Sequence, residues 1–424
     1  MSKINYPNLD LFIYNHVTES PKNEYENYWD NLENKLLSAK IKLNPSTEDS
    51  NCKSFYKIER LDEKIEFSYI RKSIQDTYLL NYSCSQDKEI ELSELTNCLT
   101  KLKDLAVLPQ VGELNLGRLS NNGYLGKTWM ISTWTNDNNE FTEDVAKNIY
   151  SCLIKHKHKH QQVGKFLDAE VWEMWQEDTE WGGIDKDSYV IIFVYPDELK
   201  FAQGARYYQY WQDLLLYRHK IIWAYQNGRK LKSQLSEQYD KSLIDSTGLS
   251  NKSLDELKNN LQQNTNALTT YVRNINLIKT QQHTIEVNLR NYENTCEYEF
   301  KTAIFLEAFS QIVKQKYQIQ LEKDYLGLNP GLAILENVTA TIRGMVEIEQ
   351  AQQDRNLSNT VAIVGVGLAT SQLASAVILA QNPPAKDIPF YKTTAFKSSL
   401  FAGAIASIFV WVIIRLIRYL QRKK

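Results

Sequence analysis

The run Lys155-His-Lys-His-Lys-His160 holds the densest set of potential metal ligands in the chain. On a helix from Asp144 to Gln162, His156 and His160 stand four apart with Cys152 one turn earlier, a spacing open to a soft metal ion. The interleaved lysines oppose that use, since they repel a cation, and three histidines at spacing two cannot all face one ion. The run then reads as a solvated basic face or as a contact for a phosphate or other anion. A second concentration lies between Tyr207 and Arg229, where Trp211, Arg218, Trp223 and Arg229 recur at helical spacing. Rings beside guanidinium groups can stack a nucleobase and hold its phosphate. The same pattern describes a core-facing helix with a cationic side.

Two further stretches carry chemistry-bearing residues. Glu170, Glu173, Glu177, Asp178 and Glu180 alternate with Trp172, Trp175 and Trp181 ahead of Gly182-Gly183, which suggests an amphipathic helix with a tryptophan face and an acidic one. Gly126-Lys127-Thr128 has the end of a phosphate-binding loop. However, Asn121 occupies the place of its first glycine, and Trp129 to Trp134 continues as a strand rather than a helix, so the cradle of helix N–H groups is missing. No nucleophile elbow, Ser-His-Asp order or HExxH pattern stands out, and the chain reads as a non-enzyme.

The elements that must position these residues fall into two regimes. With 424 residues the chain can bury a sizeable core, and 49 basic against 51 acidic residues give no global field for nucleic acid; no direct nucleic-acid partner is expected. Five cysteines without CxxC spacing fit a reducing compartment better than a disulfide framework. Residues 1–203 alternate short apolar runs with amphipathic stretches. Leu9 to His16, Ile65 to Ile70, Thr77 to Tyr82 and Tyr189 to Tyr195 read as buried strands, and Tyr25 to Ala39 and Glu91 to Leu105 as helices. Asn122-Gly123 between Leu114 to Leu119 and Tyr124 to Trp134 predicts a hairpin turn. The expected fold is an α/β domain with a mixed sheet.

From about residue 204 the period becomes helical, and residues 204–357 read as a helical, coiled-coil stalk. Ser253 and Glu256 form a capping box ahead of a seam at spacing three and four, from Leu254, Leu257 and Leu261 through Tyr271, Ile275, Ile278, Ile285 and Leu289 to Tyr292. Gly327-Leu-Asn-Pro330-Gly331 predicts a turn. Beyond it a helix of about 50 residues, roughly 75 Å, can run to the end of the first apolar segment.

Two apolar segments follow, 358–381 and 398–420, joined by a loop 382–397 and closed by a basic tail 421–424. Val361 to Ala380 carries no charge, and about 20 such residues cross a hydrocarbon core. Thr370, Ser371, Gln372 and Ser375 make this span polar for a passive tether. Gln372, Ser375, Leu379 and Asn382 share one helical face that could line a pore, or serve as a polar helix-helix seam. Gly365 with Ala369, and Ala402 with Ala406, are spaced for close helix packing. Arg415, Arg418, Arg422, Lys423 and Lys424 put both termini in the cytoplasm by the positive-inside bias, with the hairpin in the plasma membrane.

An α/β domain, a long helix running into the first span, a short outer loop and a second span with a basic tail together resemble the CorA-like metal-ion transporters. Members carry Gly-Met-Asn at the outer end of the first span, and here Ala380-Gln381-Asn382 stands there, so only the asparagine is kept. The resemblance implies a homo-oligomer, a pentamer in that family, with Asn382 facing a hydrated Mg2+ that is transported or regulatory; the lost glycine leaves magnesium selectivity unimplied. It also implies that acidic residues such as Glu170 to Glu180 could sense cytoplasmic Mg2+ between subunits. A branch of that superfamily encoded beside type III CRISPR systems is similar in layout, which implies an antiviral membrane effector opened by a nucleotide second messenger. A membrane-anchored scaffold that conducts nothing is the third reading.

Overall fold

The computed structural model describes residues 3–16, 44–49, 52–56, 65–106, 123–136, 141–154, 158, 160–245, 252–381 and 389–422. The expected helix Tyr25 to Ala39, the strand Leu114 to Leu119, His156 and Asn382 lie outside them. By its contacts the chain forms two compact units, Met1–Gln238 with Thr270–Gly331, and Tyr239–Thr269 with Leu332–Lys424.

The first unit is built on a mixed sheet. Its strands are β1 (Lys3–His16), β2 (Asn44–Asp49), β3 (Cys52–Tyr56), β4 (Ile65–Ile74), β5 (Thr77–Gln86), β6 (Glu89–Glu91), β7 (Tyr124–Trp134), β8 (His160–Phe166), β9 (Ala169–Trp175) and β10 (Tyr189–Tyr195). They run in the order β2-β3-β4-β5-β1-β7-β10-β9-β8, with β6 beside one end of β1. Only β7 and β10 pair in parallel among the described strands. The four strands read from the sequence lie within β1, β4, β5 and β10.

Period-two alternation sends each strand's side chains to two faces. Leu9, Leu11, Ile13, Leu80, Tyr82, Ile131 and Ile192 form one face, covered by α1 (Leu95–Ala106) through Leu95, Leu99 and Leu102 and by α2 (Glu143–Leu153) through Ile149 and Tyr150. Phe12, Tyr14, Met130, Ile191 and Phe193 form the other. That face meets the first half of α4 (Tyr208–Asp245), the later turns of α5 (Leu254–Glu299) and the segment Phe300 to Leu321. The short α3 (Glu198–Ala205), N-capped by the Asp197 side chain, precedes α4.

Three expectations are corrected here. The helix expected from Asp144 to Gln162 stops at Leu153, and His160 opens β8. The acidic and tryptophan stretch is strand β9 over its first part, because Leu167-Asp168, at φ +51° and +65°, turns β8 back into a hairpin. Its Glu and Trp spacing imitates a helix, but both faces of the strand are packed. Finally, Pro330 lies inside α7 (Ile319–Gln381), which follows α6 (Glu307–Ile312) through a π-helical turn, Val313–Gln318. Proline removes the donor to the carbonyl four residues back. That residue, Leu326, is exposed, so water can replace the donor, and the Tyr271 hydroxyl donates to the Leu328 carbonyl at 2.8 Å as a further tie beside the break.

In the second unit Leu254 and Leu257 pack on Ile342 and Val346, the N-terminal end of the expected seam. Ser253 and Glu256 close the capping box, with Ser253 N–H donating to Glu256 Oε2 at 2.7 Å. The last part of α7 and α8 (Thr394–Arg422) are the two helices long and apolar enough to cross a membrane.

Candidate functional site

In the hairpin, α7 and α8 meet where both helices lack bulk. A Cβ added at Gly367 would stand 2.0 Å from Ser407 Oγ, and one at Gly403 would stand 2.7 Å from the Gly367 carbonyl oxygen and 3.0 Å from Ser371 Cβ. The close approach therefore uses Gly367 with Ser371 and Gly403 with Ser407. The pairs read from the sequence have the right spacing but sit one or two residues off, and nothing lies within 4 Å of a Cβ at Gly365. Ser407 donates to the Ile363 carbonyl at 3.3 Å, and Thr370 to the Val366 carbonyl at 2.8 Å, so these hydroxyls are satisfied within the hairpin. Ser375 is half-buried. Gln372 and Leu379 are exposed on α7. Gln372 is thus a carboxamide near the middle of the uncharged span, on the outside of the hairpin.

The aromatic and basic residues of α4 face inward. Trp211 packs on Phe300 at 4.4 Å between ring centroids and on Phe193 at 5.1 Å. The Arg218 guanidinium lies between the Tyr189 and Phe309 rings, 3.8 and 4.3 Å from their centroids. It faces buried Glu173, which accepts the Tyr189 hydroxyl. Burial pushes the Glu173 carboxyl above its ordinary range and Arg218 opposes that rise. His219 is held neutral by burial and by the Arg218 and Lys186 charges, and its Nε2 lies 2.8 Å from Thr128 Oγ1. Trp223 stacks on His16 at 5.8 Å, and Arg229 pairs with Asp324. Each of these groups is engaged by the protein itself, and they form no shared outward surface. His160 stacks on Trp175 at 5.6 Å and pairs with Glu177 at 3.3 Å, while Asp178 accepts the Glu180 and Trp181 N–H groups and the Gln226 amide.

Gly126-Lys127-Thr128 also has a packing role. A Cβ at Gly126, whose φ is +147°, would come within 2.4 Å of His219 Nδ1, so the glycine admits the imidazole that Thr128 then engages.

A region not flagged by the sequence reading lies on the same sheet face, beyond the end covered by α4. Register places Glu66, Ser85, Asn8 and Ser132 in one row across β4, β5, β1 and β7, and Ser68, Ser83 and Asp10 in the next. A cavity of about 850 Å³ opens over these rows, walled by Tyr6, Trp134 and Phe201 and by Glu198 of α3. A smaller chamber of about 80 Å³ reaches Asp10 and Tyr208. Asp10 is fully buried; Asn8 Nδ2 donates to its Oδ2 at 2.8 Å and the Tyr208 hydroxyl to its Oδ1 at 2.9 Å. Burial raises its carboxyl to about 6 in spite of these donors. Tyr6, at φ +47°, sits where the β1–β7 register shifts, and its hydroxyl donates to Glu66 at 2.9 Å. Bulges and left-handed non-glycine residues of this kind re-aim side chains at binding sites. The signal in the sequence was there: Asn8 and Asp10, Asn81, Ser83 and Ser85, and Glu66 and Ser68 are polar at period two where a buried strand should be apolar.

The chain thus combines a mixed α/β domain, long helices and two C-terminal helices long and apolar enough to cross a membrane, consistent with a generic two-span architecture. No protein-family model matches the chain, and no curated protein matches it.

Proposed function

We propose that the chain is a homo-oligomeric membrane protein in which α7 contributes a polar path for ions and the α/β domain acts as the cytoplasmic sensing body. Exposed Gln372 carries the reading. A carboxamide on the lipid side of a lone hairpin would lose its water without gaining a partner, at a cost of several kcal/mol, so polar groups at that depth face a partner helix or a wet cavity. A ring of copies would supply either. The resemblance to CorA-like proteins favours five copies, inward-facing termini and a divalent cation, with Mg2+ as a transported or a regulatory ion. The CRISPR-linked branch would share the pore and differ in its nucleotide signal.

Particle mass in detergent, and ion flux in liposomes with and without Mg2+ and a panel of nucleotides, test the reading. An oligomer with flux that changes in Gln372→Leu while its mass is kept is the expected result. A monomer, or an oligomer without flux under any condition, would overturn the pore. The second reading, an anchored scaffold, draws on the seam in which Gly367, Ser371, Gly403 and Ser407 already accommodate one another.

A further inference from the structure

We infer that the C-terminal end of α8 binds the phosphate of an anionic glycerophospholipid. The inference rests on the membrane reading above, and not on whether the hairpin conducts. Helix α8 continues to Arg422, so Arg415, Arg418 and Arg422 stand three and four residues apart and share one face, with Trp411 one turn before them on the same side. The stretch apolar enough to cross a membrane ends at Leu416. Arg415 is therefore in its last turn and the other two arginines follow it, at the level where a bilayer places its phosphates. The Arg415 guanidinium sits 4.9 Å from the centroid of the Trp411 ring, and it pairs with no carboxylate among the described residues. A ring face attracts the charge but gives no oxygen to its N–H donors.

The neighbouring helix does not supply the missing oxygens. Ser407 bonds to Ile363 across the antiparallel hairpin, and eight residues further along each helix (407 to 415, 363 to 355) Arg415 comes level with Arg355 of α7. Asp354 stands next to Arg355 and both are exposed, so α7 adds no net charge at that level. Glu347 and Glu349 stand about two turns further on, level with Arg422, and the site therefore centres on Arg415 and Arg418. Beyond Trp411 the chain carries five cations and no carboxylate. That balance favours an anionic headgroup over a zwitterionic one, whose ammonium would find no partner. Arginine forks bond two phosphate oxygens at once. Ile408 and Val412 are exposed on the side of α8 that carries Trp411 and Arg415, an apolar strip along which an acyl chain can lie beneath the headgroup. A soluble phosphate would use the arginines alone, so the combination selects a lipid.

Native mass spectrometry of the full chain released from vesicles of phosphatidylcholine doped with phosphatidylglycerol tests this, with alkaline extraction of the same vesicles as a check on insertion. The parent is expected to resist extraction and to retain phosphatidylglycerol about 10-fold above its share of the vesicle, and the Arg415→Gln/Arg418→Gln double variant to lose that enrichment. Arg415→Lys/Arg418→Lys, which keeps the charge without the planar fork, should keep only part of it. Thermal melts of both variants separate lost binding from lost folding. Extraction of the parent by alkali would overturn the membrane reading and this inference with it. With the parent inserted, this inference alone is overturned if phosphatidylglycerol is not enriched, if its enrichment survives in the folded glutamine variant, or if inorganic phosphate displaces it at matched ionic strength.

Discussion

Two polar regions lie on one face of the same sheet, and they are built on opposite terms. Around Arg218 the charges are sealed: the guanidinium is held between two rings, Glu173 takes the Tyr189 hydroxyl, and His219 engages Thr128. Around Asp10 the polar groups open on a cavity. The first region uses polar groups to fix packing, whereas the second leaves them available. The comparison teaches that an aromatic and basic composition along one helix does not itself mark a ligand site. Serines and carboxylates aligned across several strands are the stronger mark.

The largest effect is expected from breaking the sealed region. Arg218→Leu removes the buried cation whose field offsets the buried Glu173 carboxylate, and leaving a buried charge uncompensated costs up to about 3 kcal/mol. The Glu173 carboxyl already sits above its ordinary range, and without Arg218 it rises further. The variant is therefore penalised more at pH 8, where Glu173 must ionise, than at acidic pH, where protonation relieves the uncompensated charge. Chemical denaturation at the two pH values measures this, and an equal loss at both would mean that the charge is not what Arg218 contributes.

Asp10→Asn should move stability in the opposite direction. Between 3.8 and about 6 the folded chain holds a proton on Asp10 that the unfolded chain has released, so stability falls as pH rises through that window and stays reduced above it. The full penalty is of order 3 kcal/mol, and Asn, which needs no proton, removes it. The variant should thus be more stable than the parent at pH 8, by about 1–3 kcal/mol, and equal to it near pH 4. A loss of stability at pH 8 would show that Asp10 is a structural acceptor, like Glu173, and would erase the contrast between the regions.

How much of this was legible in the sequence depends on where the information resides. The seam from Leu254 to Tyr292 and the strand Tyr189–Tyr195 were readable because each pattern is complete within one segment. Strand β9 was misread since Glu170, Glu173 and Glu177 fall at helical spacing, and the Leu167-Asp168 turn lacks the glycine that usually announces a tight hairpin. Pro330 reads as a break in the sequence, yet the helix passes through it, with Leu326 exposed and the Tyr271 hydroxyl donating to the Leu328 carbonyl beside it. The cleft was hardest. Its residues are distributed over four strands, each contributing two or three polar side chains, and only strand register brings them into rows.

The finest comparison removes one hydroxyl from each region. Thr128→Val leaves the imidazole of His219 with no partner on either nitrogen in a fully buried site, and an orphaned buried group of this kind costs about 1–3 kcal/mol. Ser83→Ala removes a hydroxyl that donates to Asn8 Oδ1 at 3.2 Å in a half-buried position lining the cleft, where water can take its place. Its cost at pH 4 should stay within about 0.5 kcal/mol. Because Ser83 also helps hold Asp10 ionised, its loss should shift the pH at which stability falls slightly upward. Paired denaturation curves for the two variants decide the point: a Ser83→Ala loss as large as that of Thr128→Val would mean that the cleft is packed rather than open to a ligand.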